Sequence, residues 1–155
     1  MAVALKESHT TLKCRTGQHA VRSELFPVPS TPPGHVIGAG LTSGLAFFDN
    51  GQVASLDMTF TIDWSDGKSG SHVNYSKFTF EDGSYILVLE PGTTTDSPDG
   101  TTSIVSSDSV TILQGGGQYA GIQGRGTMTG KRFGPLGPNA NTYLDYVLTF
   151  SVPTK

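Results

Sequence analysis

The chain has 155 residues, of which 20 are glycine, 9 proline and one cysteine, and it carries a formal charge of −3 at pH 7. That length suits one domain with a core of its own, the acidic balance lacks the basic field that phosphate neutralisation needs and argues against a nucleic-acid partner, and a lone Cys14 excludes an internal disulfide. His9, His19, His35 and His72 show no zinc-ligand spacing, so neither a metal nor a cofactor is expected.

The first fourteen residues carry Lys6, Glu7 and Lys13 and lack the apolar stretch of a signal peptide, and no segment approaches the roughly 18 apolar residues of a membrane span. The expectation is a soluble, cytoplasmic protein with no membrane partner. Thr10–Cys14 and His19–Phe26 predict two short strands. From Pro27 to Pro33, four of seven residues are proline. Proline removes amide donors and fixes φ, which predicts an extended surface segment across one end of the fold or a lid. The chain is read as a single domain over 1–155, with 1–33 as an N-terminal extension.

His35–Phe48 is apolar and punctuated by glycine, and it runs into Asn50-Gly51, a strong hairpin signal. Val53–Trp64 alternates cleanly, with Leu56, Met58, Phe60, Ile62 and Trp64 on one face and Asp57, Thr59, Thr61 and Asp63 on the other. After a turn at Asp66-Gly67, His72, Asn74, Ser76, Phe78 and Phe80 oppose Val73, Tyr75, Lys77 and Thr79. Tyr85–Glu90 is apolar on both faces and is expected to be covered on both. Pro91–Thr102 is polar and turn-rich, which predicts an exposed loop tip, and Ser103–Leu113 returns as a strand.

Gln114–Lys131 is too rich in glycine for a helix, where each would cost about 1 kcal/mol relative to alanine. The stretch predicts a turn at Gly115–Gly117 and a strand with Ile122, Gly124, Gly126 and Met128 on one face and Gln123, Arg125, Thr127 and Thr129 on the other. A phosphate-binding loop would need Lys-Ser/Thr at the start of a helix, whereas Lys131 is followed by Arg132-Phe133-Gly134-Pro135. Phe133–Asn141 predicts an irregular crossing. In Thr142–Val152, Leu144, Tyr146, Leu148 and Phe150 oppose Tyr143, Asp145, Val147 and Thr149. Roughly seven to nine antiparallel strands with no crossover helix predict an all-β fold, a single, roughly eight-stranded closed β-barrel.

Three places carry a family resemblance. Gly40-Leu41-Thr42-Ser43-Gly44-Leu45 resembles the G-I-T-A-G-L strand of the allene oxide cyclases. Phe80-Glu81-Asp82-Gly83-Ser84 resembles their F-x-D-x-G turn, and Ser107-Asp108 through Gly126 resembles their glycine hairpin. The order of the three is similar to the calycin-like barrel that those cyclases share with plant dirigent proteins and many small bacterial proteins. The resemblance covers about residue 36 to the C-terminus. It implies an apolar cavity for a small lipophilic molecule. Where the plant cyclases carry a cysteine after G-I-T-A-G-L this chain has Ala46, and where they carry a steering tyrosine it has about Glu90-Pro91. Glu24 lies in the region of the family's glutamate.

A cyclase of this kind needs a shaped apolar pocket and one or two polar groups to move a proton or stabilise charge. The catalytic candidates are Glu90, Asp145, His72 and Tyr75. Glu90 ends an apolar strand, where it is either a desolvated carboxyl or a solvated terminus. Asp145 either orients a substrate or faces water. Trp64, Phe60, Met58, Asn74, Tyr143, Tyr146 and Arg125 are the candidate pocket residues, against the alternative of ordinary packing. Two functions are carried forward: a cofactor-independent cyclase or isomerase acting on a small hydrophobic metabolite, or a non-catalytic, dirigent-like protein that binds or steers such a molecule. Outward apolar residues among Val36, Leu41, Leu45, Phe47, Tyr85, Leu87 and Leu89 further suggest a homodimer or homotrimer, unless residues 1–33 cover that wall.

Overall fold

Every second side chain from Ala54 to Trp64 is apolar, and in the computed structural model, which describes residues 9–98 and 100–154, all of these are buried on one side of a single strand. The same period-two burial, which follows from alternation of side chains along an extended backbone, marks the other strands. Among the described residues these are β1 (Thr10–Pro27), β2 (Val36–Phe48), β3 (Val53–Trp64), β4 (Gly70–Phe80), β5 (Tyr85–Asp96), β6 (Thr102–Gly116), β7 (Gln123–Phe133) and β8 (Asn141–Ser151). A 3-10 turn, Gly117–Tyr119, links β6 to β7. Each strand pairs antiparallel with its neighbours in sequence, and β1 pairs with β8 to close the barrel and leave no sheet edge. The expected all-β closed barrel is the observed one.

Two stretches differ from the sequence reading. Residues 10–27 form one continuous stave, with Leu12, Cys14, Thr16, Gln18 and Ala20 pointing inward and a bulge between Ala20 and Arg22 that re-registers the strand on β2. β5 continues through Pro91 to Asp96 where a loop tip was expected. Proline removes a ladder donor and is tolerated in sheets at bulges. Here the β5–β6 register shifts between Leu89 and Thr93, and the Ser107 hydroxyl donates to the Pro91 carbonyl.

The barrel has two unlike ends. At one, the connections are short: Gly51 and Gly83 adopt φ of +88° and +82° in the β2–β3 and β4–β5 turns, a conformation that costs glycine little. Rings plug this end, with Phe48 and Phe80 centroids 5.2 Å apart, Phe80 and Tyr119 5.2 Å, and Tyr119 and Phe150 6.0 Å. At the other end the connections 28–35, 65–69 and 134–140 are longer and irregular. The proline segment crosses here, as expected: the Val28 amide donates to the His35 carbonyl at 2.8 Å, and Gly34 lies against the turn at Asp66-Gly67.

On the outer wall Tyr85, Leu87 and Leu89 are half-buried, Tyr85 lying under the Lys77 ammonium and accepting a hydrogen bond from Gln114. On β2, Ile37, Leu41, Leu45 and Phe47 are exposed, flanked by Phe26 and Val53 of the adjoining strands. No helix among the described residues is long and apolar enough to cross a membrane.

Candidate functional site

The interior changes character along the barrel axis. Below its middle the inward side chains are Leu56, Phe78, Ile86, Val88, Val110 and Leu148, all inaccessible to solvent. Towards the open end the same alternation delivers polar groups: Ser76, Asn74 and His72 from β4, Glu90 and Thr94 from β5, Gln18 from β1, Ser103 from β6 and Arg132 from β7, every one of them buried. Bulges in β5 and in β6, where register shifts between Ser107 and Val110, fall beside this layer. Such bulges re-aim side chains at functional sites.

Glu90 is fully buried and sits opposite Asn74 in the β4–β5 ladder, with the Asn74 amide donating to Oε2 at 3.4 Å. Burial raises its carboxyl to a pKa of about 7, against the pull of the Tyr146 and Ser76 hydroxyls and the Asn74 amide towards the ionised form. Ser76 and Tyr146 themselves lie 3.4 Å apart, oxygen to oxygen. Tyr146 is pushed well above its ordinary value, first by burial and then by the neighbouring Glu90 charge. One layer higher, His72 places Nδ1 3.3 Å from the Thr94 hydroxyl, and burial lowers its pKa to about 4. The imidazole is therefore neutral near pH 7. It has room because residue 92 is glycine: a Cβ there would lie 1.9 Å from the Ser106 carbonyl oxygen and 2.9 Å from His72 Nε2.

At the mouth, Arg132 donates from Nε to the Gly134 carbonyl and from Nη2 to Ser103 Oγ, both at 3.1 Å, and its guanidinium lies 5.2 Å from the Trp64 ring centre. Ser103 Oγ in turn donates to Asp96 at 3.1 Å. Deeper on the opposite wall, Thr16 donates to Gln18 at 2.8 Å and Gln18 donates to Thr42 at 3.0 Å.

Three buried side-chain atoms among the described residues have no hydrogen-bond partner: Trp64 Nε1, His72 Nε2 and Glu90 Oε1. All belong to this end. Trp64 and His72 line a cavity of about 60 Å³ together with Phe60, Met58, Asn74 and Leu144. Glu90 does not line this cavity and lies beside its ladder partner Asn74, which does. Outside Trp64, Arg132 and Leu136 the cavity meets a vestibule of about 250 Å³ bounded by Lys68, Asp96 and Ser103. Together the two spaces reach the low end of the ~300–1,000 Å³ range of ligand pockets.

Seven of the sequence candidates meet in or directly under this chamber: Glu90, His72, Trp64, Phe60, Met58, Asn74 and Tyr146. Four point outward instead. Asp145 forms a two-point pair with Arg15 at 2.7 and 2.8 Å on the surface, where the guanidinium holds its carboxyl below the usual range. Tyr143 lies under that same Arg15 and beside Phe133. Tyr75 is 46% exposed, and Arg125 stands on the outer wall beside Gln123 and Thr149. Each shares a strand with inward residues but has the opposite parity. Sequence reasoning missed Arg132, Gln18, Thr94 and Ser103. The sign for Arg132 was its even spacing from Ile122 and Met128, which continues the inward face of β7. Buried Cys14, pushed up to about 12 chiefly by burial, stays a thiol packed in the lower core. No group of three or more His, Cys, Asp and Glu side chains among the described residues is placed to hold a metal ion.

Two solved structures share this barrel. Both are pterocarpan synthase dirigent proteins. One is 13% identical, with a TM-score of 0.50 over 99% of this chain and 90% of the other. The second is 12% identical, with a TM-score of 0.51 over 97% of this chain and 100% of the other. At that identity the likeness is one of fold, and it places the chain among dirigent-like barrels in architecture. No family model matches the chain, and no curated protein matches it by sequence.

Proposed function

We propose that the open end of the barrel is a chamber for a small, largely apolar molecule, and that the molecule is cyclised or isomerised there by proton transfer at Glu90. The observation that carries this reading is the segregation of unpartnered buried polar atoms. A buried polar group without a partner costs about 1–3 kcal/mol, and native proteins keep few of them. Here two of the three, Trp64 Nε1 and His72 Nε2, belong to residues that line one cavity, and the third, Glu90 Oε1, belongs to the ladder partner of Asn74 in the same wall. A ligand that hydrogen-bonds the first two would remove their penalty. Trp64 Nε1–H donates to an acceptor such as a carbonyl or epoxide oxygen, and neutral His72 offers Nε2 as donor or acceptor according to tautomer.

A carboxyl poised near pH 7 suits general acid–base work, because both of its forms are populated at neutral pH. Glu90 reaches the chamber through Asn74, so ligand entry must move that amide aside or use it to position the substrate. Water exclusion follows from the fold: the aromatic plug seals the far end, and Phe60, Ile62 and Leu136 line the approach.

The second reading is a protein that binds or steers a reactive species without giving or taking a proton. The dirigent-like fold favours it, and so does the absence of Glu90 from the cavity lining. A panel of small unsaturated ketones and epoxides, assayed for ring closure or double-bond shift by chiral chromatography, separates the two. Proton transfer by Glu90 predicts that Glu90→Gln lowers turnover by about 10²–10⁴-fold. Turnover within about threefold of the parent, with product handedness retained, would favour steering.

The exposed apolar strip of β2 is proposed to be covered by a second or third copy of the chain. Light scattering at micromolar concentration tests this, and a single-chain mass would reject it.

A further inference from the structure

Among the described residues Arg132 is the one buried cation of the chamber wall described above, and none of them gives it a counter-charge at contact distance. The ion pairs among the described residues join Arg15 to Asp145, Arg22 to Glu24 and His35 to Asp63, all away from the chamber. Asp96 lies behind Ser103, which takes up the Asp96 carboxylate and accepts from Arg132 Nη2. Nε is held by the Gly134 carbonyl. The guanidinium is thus fixed on two of its nitrogens, while Nη1 makes no hydrogen bond among the described residues. Only 7% of the residue is exposed. Burying a guanidinium is costly unless it is paired, and an arginine fixed in this way is preorganised to grip a planar anion with little further loss of freedom. Trp64 supplies a second donor at the same wall, its buried and unpartnered Nε1–H.

We propose that the vestibule recognises a carboxylate, held by Arg132 and by the Trp64 indole N–H, on a ligand whose apolar body extends past Leu136 into the cavity over Phe60 and Met58. This rests on the reading of the open end as a ligand chamber and names the substrate class it takes. One buried guanidinium balances one negative charge. The exposed Lys68 at the rim adds attraction for an approaching anion, and the half-buried Asp96 opposes it. The two spaces divide the ligand accordingly: the anionic group stays in the roomier vestibule, and only a narrow apolar portion enters the inner cavity of about 60 Å³.

Trp64 is the chain's single tryptophan, so its fluorescence reports on this wall alone. The test measures binding of 3-phenylpropanoate, 3-phenylpropanamide and 3-phenylpropan-1-ol to the intact protein at pH 7.5, by quenching of that emission and by calorimetry. The acid is expected to bind roughly 10- to 100-fold more tightly than the amide or alcohol, as a charge-assisted hydrogen bond implies. In Arg132→Gln that advantage is expected to vanish while amide binding stays within about twofold. Circular dichroism checks the fold, and if Arg132→Gln does not fold, Arg132→Lys replaces it, with partial loss expected because lysine lacks the planar fork. Equal binding of acid, amide and alcohol would overturn the carboxylate assignment and leave the chamber standing. An acid preference that survives both substitutions would overturn the assignment to Arg132. Failure of all three probes to bind would overturn the chamber and this inference together.

Discussion

The closed and open ends of the barrel are built from the same staves by the same alternation, yet they are used differently. At the closed end the inward positions are aromatic and aliphatic, the turns are tight, and rings stack edge to face, as Phe78 does on Phe48 at 5.7 Å and on Tyr146 at 5.2 Å. At the open end the inward positions of β4, β5 and β7 turn polar, the connections lengthen, and buried polar atoms lack partners. Apolar packing supplies most of the stability of a small barrel. Placing that packing at one end leaves the other free to carry groups that cost stability and are useful only when something binds them.

The sharpest way to break the comparison is to delete the same kind of bulk at each end. Phe78→Ala, in the fully buried layer, is expected to cost about 3–5 kcal/mol in urea unfolding. The surviving folded fraction is expected to bind ligand normally. A loss under about 1 kcal/mol would show that the lower core is not the stabilising half.

The next effect is electrostatic, and its sign differs between two residues of the open end. Glu90 has its pKa raised from 4.5 to about 7 in the folded state, so it contributes stability that is fully present below pH 4.5 and lost as pH rises to about 7. His72 is lowered from 6.5 to about 4, so its contribution is present above pH 6.5 and lost as pH falls towards 4. Each is on the order of 3 kcal/mol, and between pH 4.5 and 6.5 they oppose. Glu90→Gln is expected to steepen acid destabilisation across that window and to be more stable than the parent at pH 8. His72→Gln is expected to lose stability between pH 4.5 and 7. Urea midpoints at pH 4.5, 6.5 and 8 measure both, and parallel profiles for all three proteins would contradict the buried, unpaired state of these groups.

A smaller effect separates binding from stability. Leu136 is half-buried and packs on the Phe60, Ile62 and Trp64 cluster at the mouth, so Leu136→Ala is expected to cost about 1 kcal/mol of stability. Its affinity for apolar probes is expected to fall several-fold, with the fluorescence of Trp64 as readout. At the bottom of the scale stands Asp145→Asn on the outer wall. Its partner Arg15 is solvent-exposed, and exposed pairs contribute little. Function and thermal midpoint are both expected to stay at parental values, and a functional loss would return Asp145 to the site.

Much of the barrel was legible because alternation is explicit in β3 and β8, where one parity is apolar from Ala54 to Trp64 and from Leu144 to Phe150. β1 was harder: Gly17 and Gln18 interrupt its pattern, and an inward-facing Gln18 looks like a break until its bonds to Thr16 and Thr42 are seen. β5 was cut short for a related reason, since Pro91 signals a strand end unless a bulge removes the need for its amide. Within the site, the residue types were easier to read than the faces. Tyr75, Tyr143, Asp145 and Arg125 have suitable chemistry, but their strand-mates Asn74, Leu144, Tyr146 and Met128 hold the interior. Parity excludes the first set once one inward residue of each strand is known. Arg132 was missed because a cation before Phe133-Gly134-Pro135 reads as a loop residue, although its even spacing from Met128 keeps it on the inward face once β7 is seen to run to Phe133.

The most direct test of the central claim, that the open end keeps polar atoms unpaired for a ligand, is the nitrogen-15 NMR signal of the Trp64 indole N–H. With one tryptophan in the chain it is a single peak. On titration with 3-phenylpropanoate the account expects that peak to move downfield as the indole gains an acceptor, while backbone amides of the Phe48, Phe80 and Phe150 plug stay fixed. An indole peak unmoved at saturation, or shifts confined to the plug or the outer wall, would contradict it.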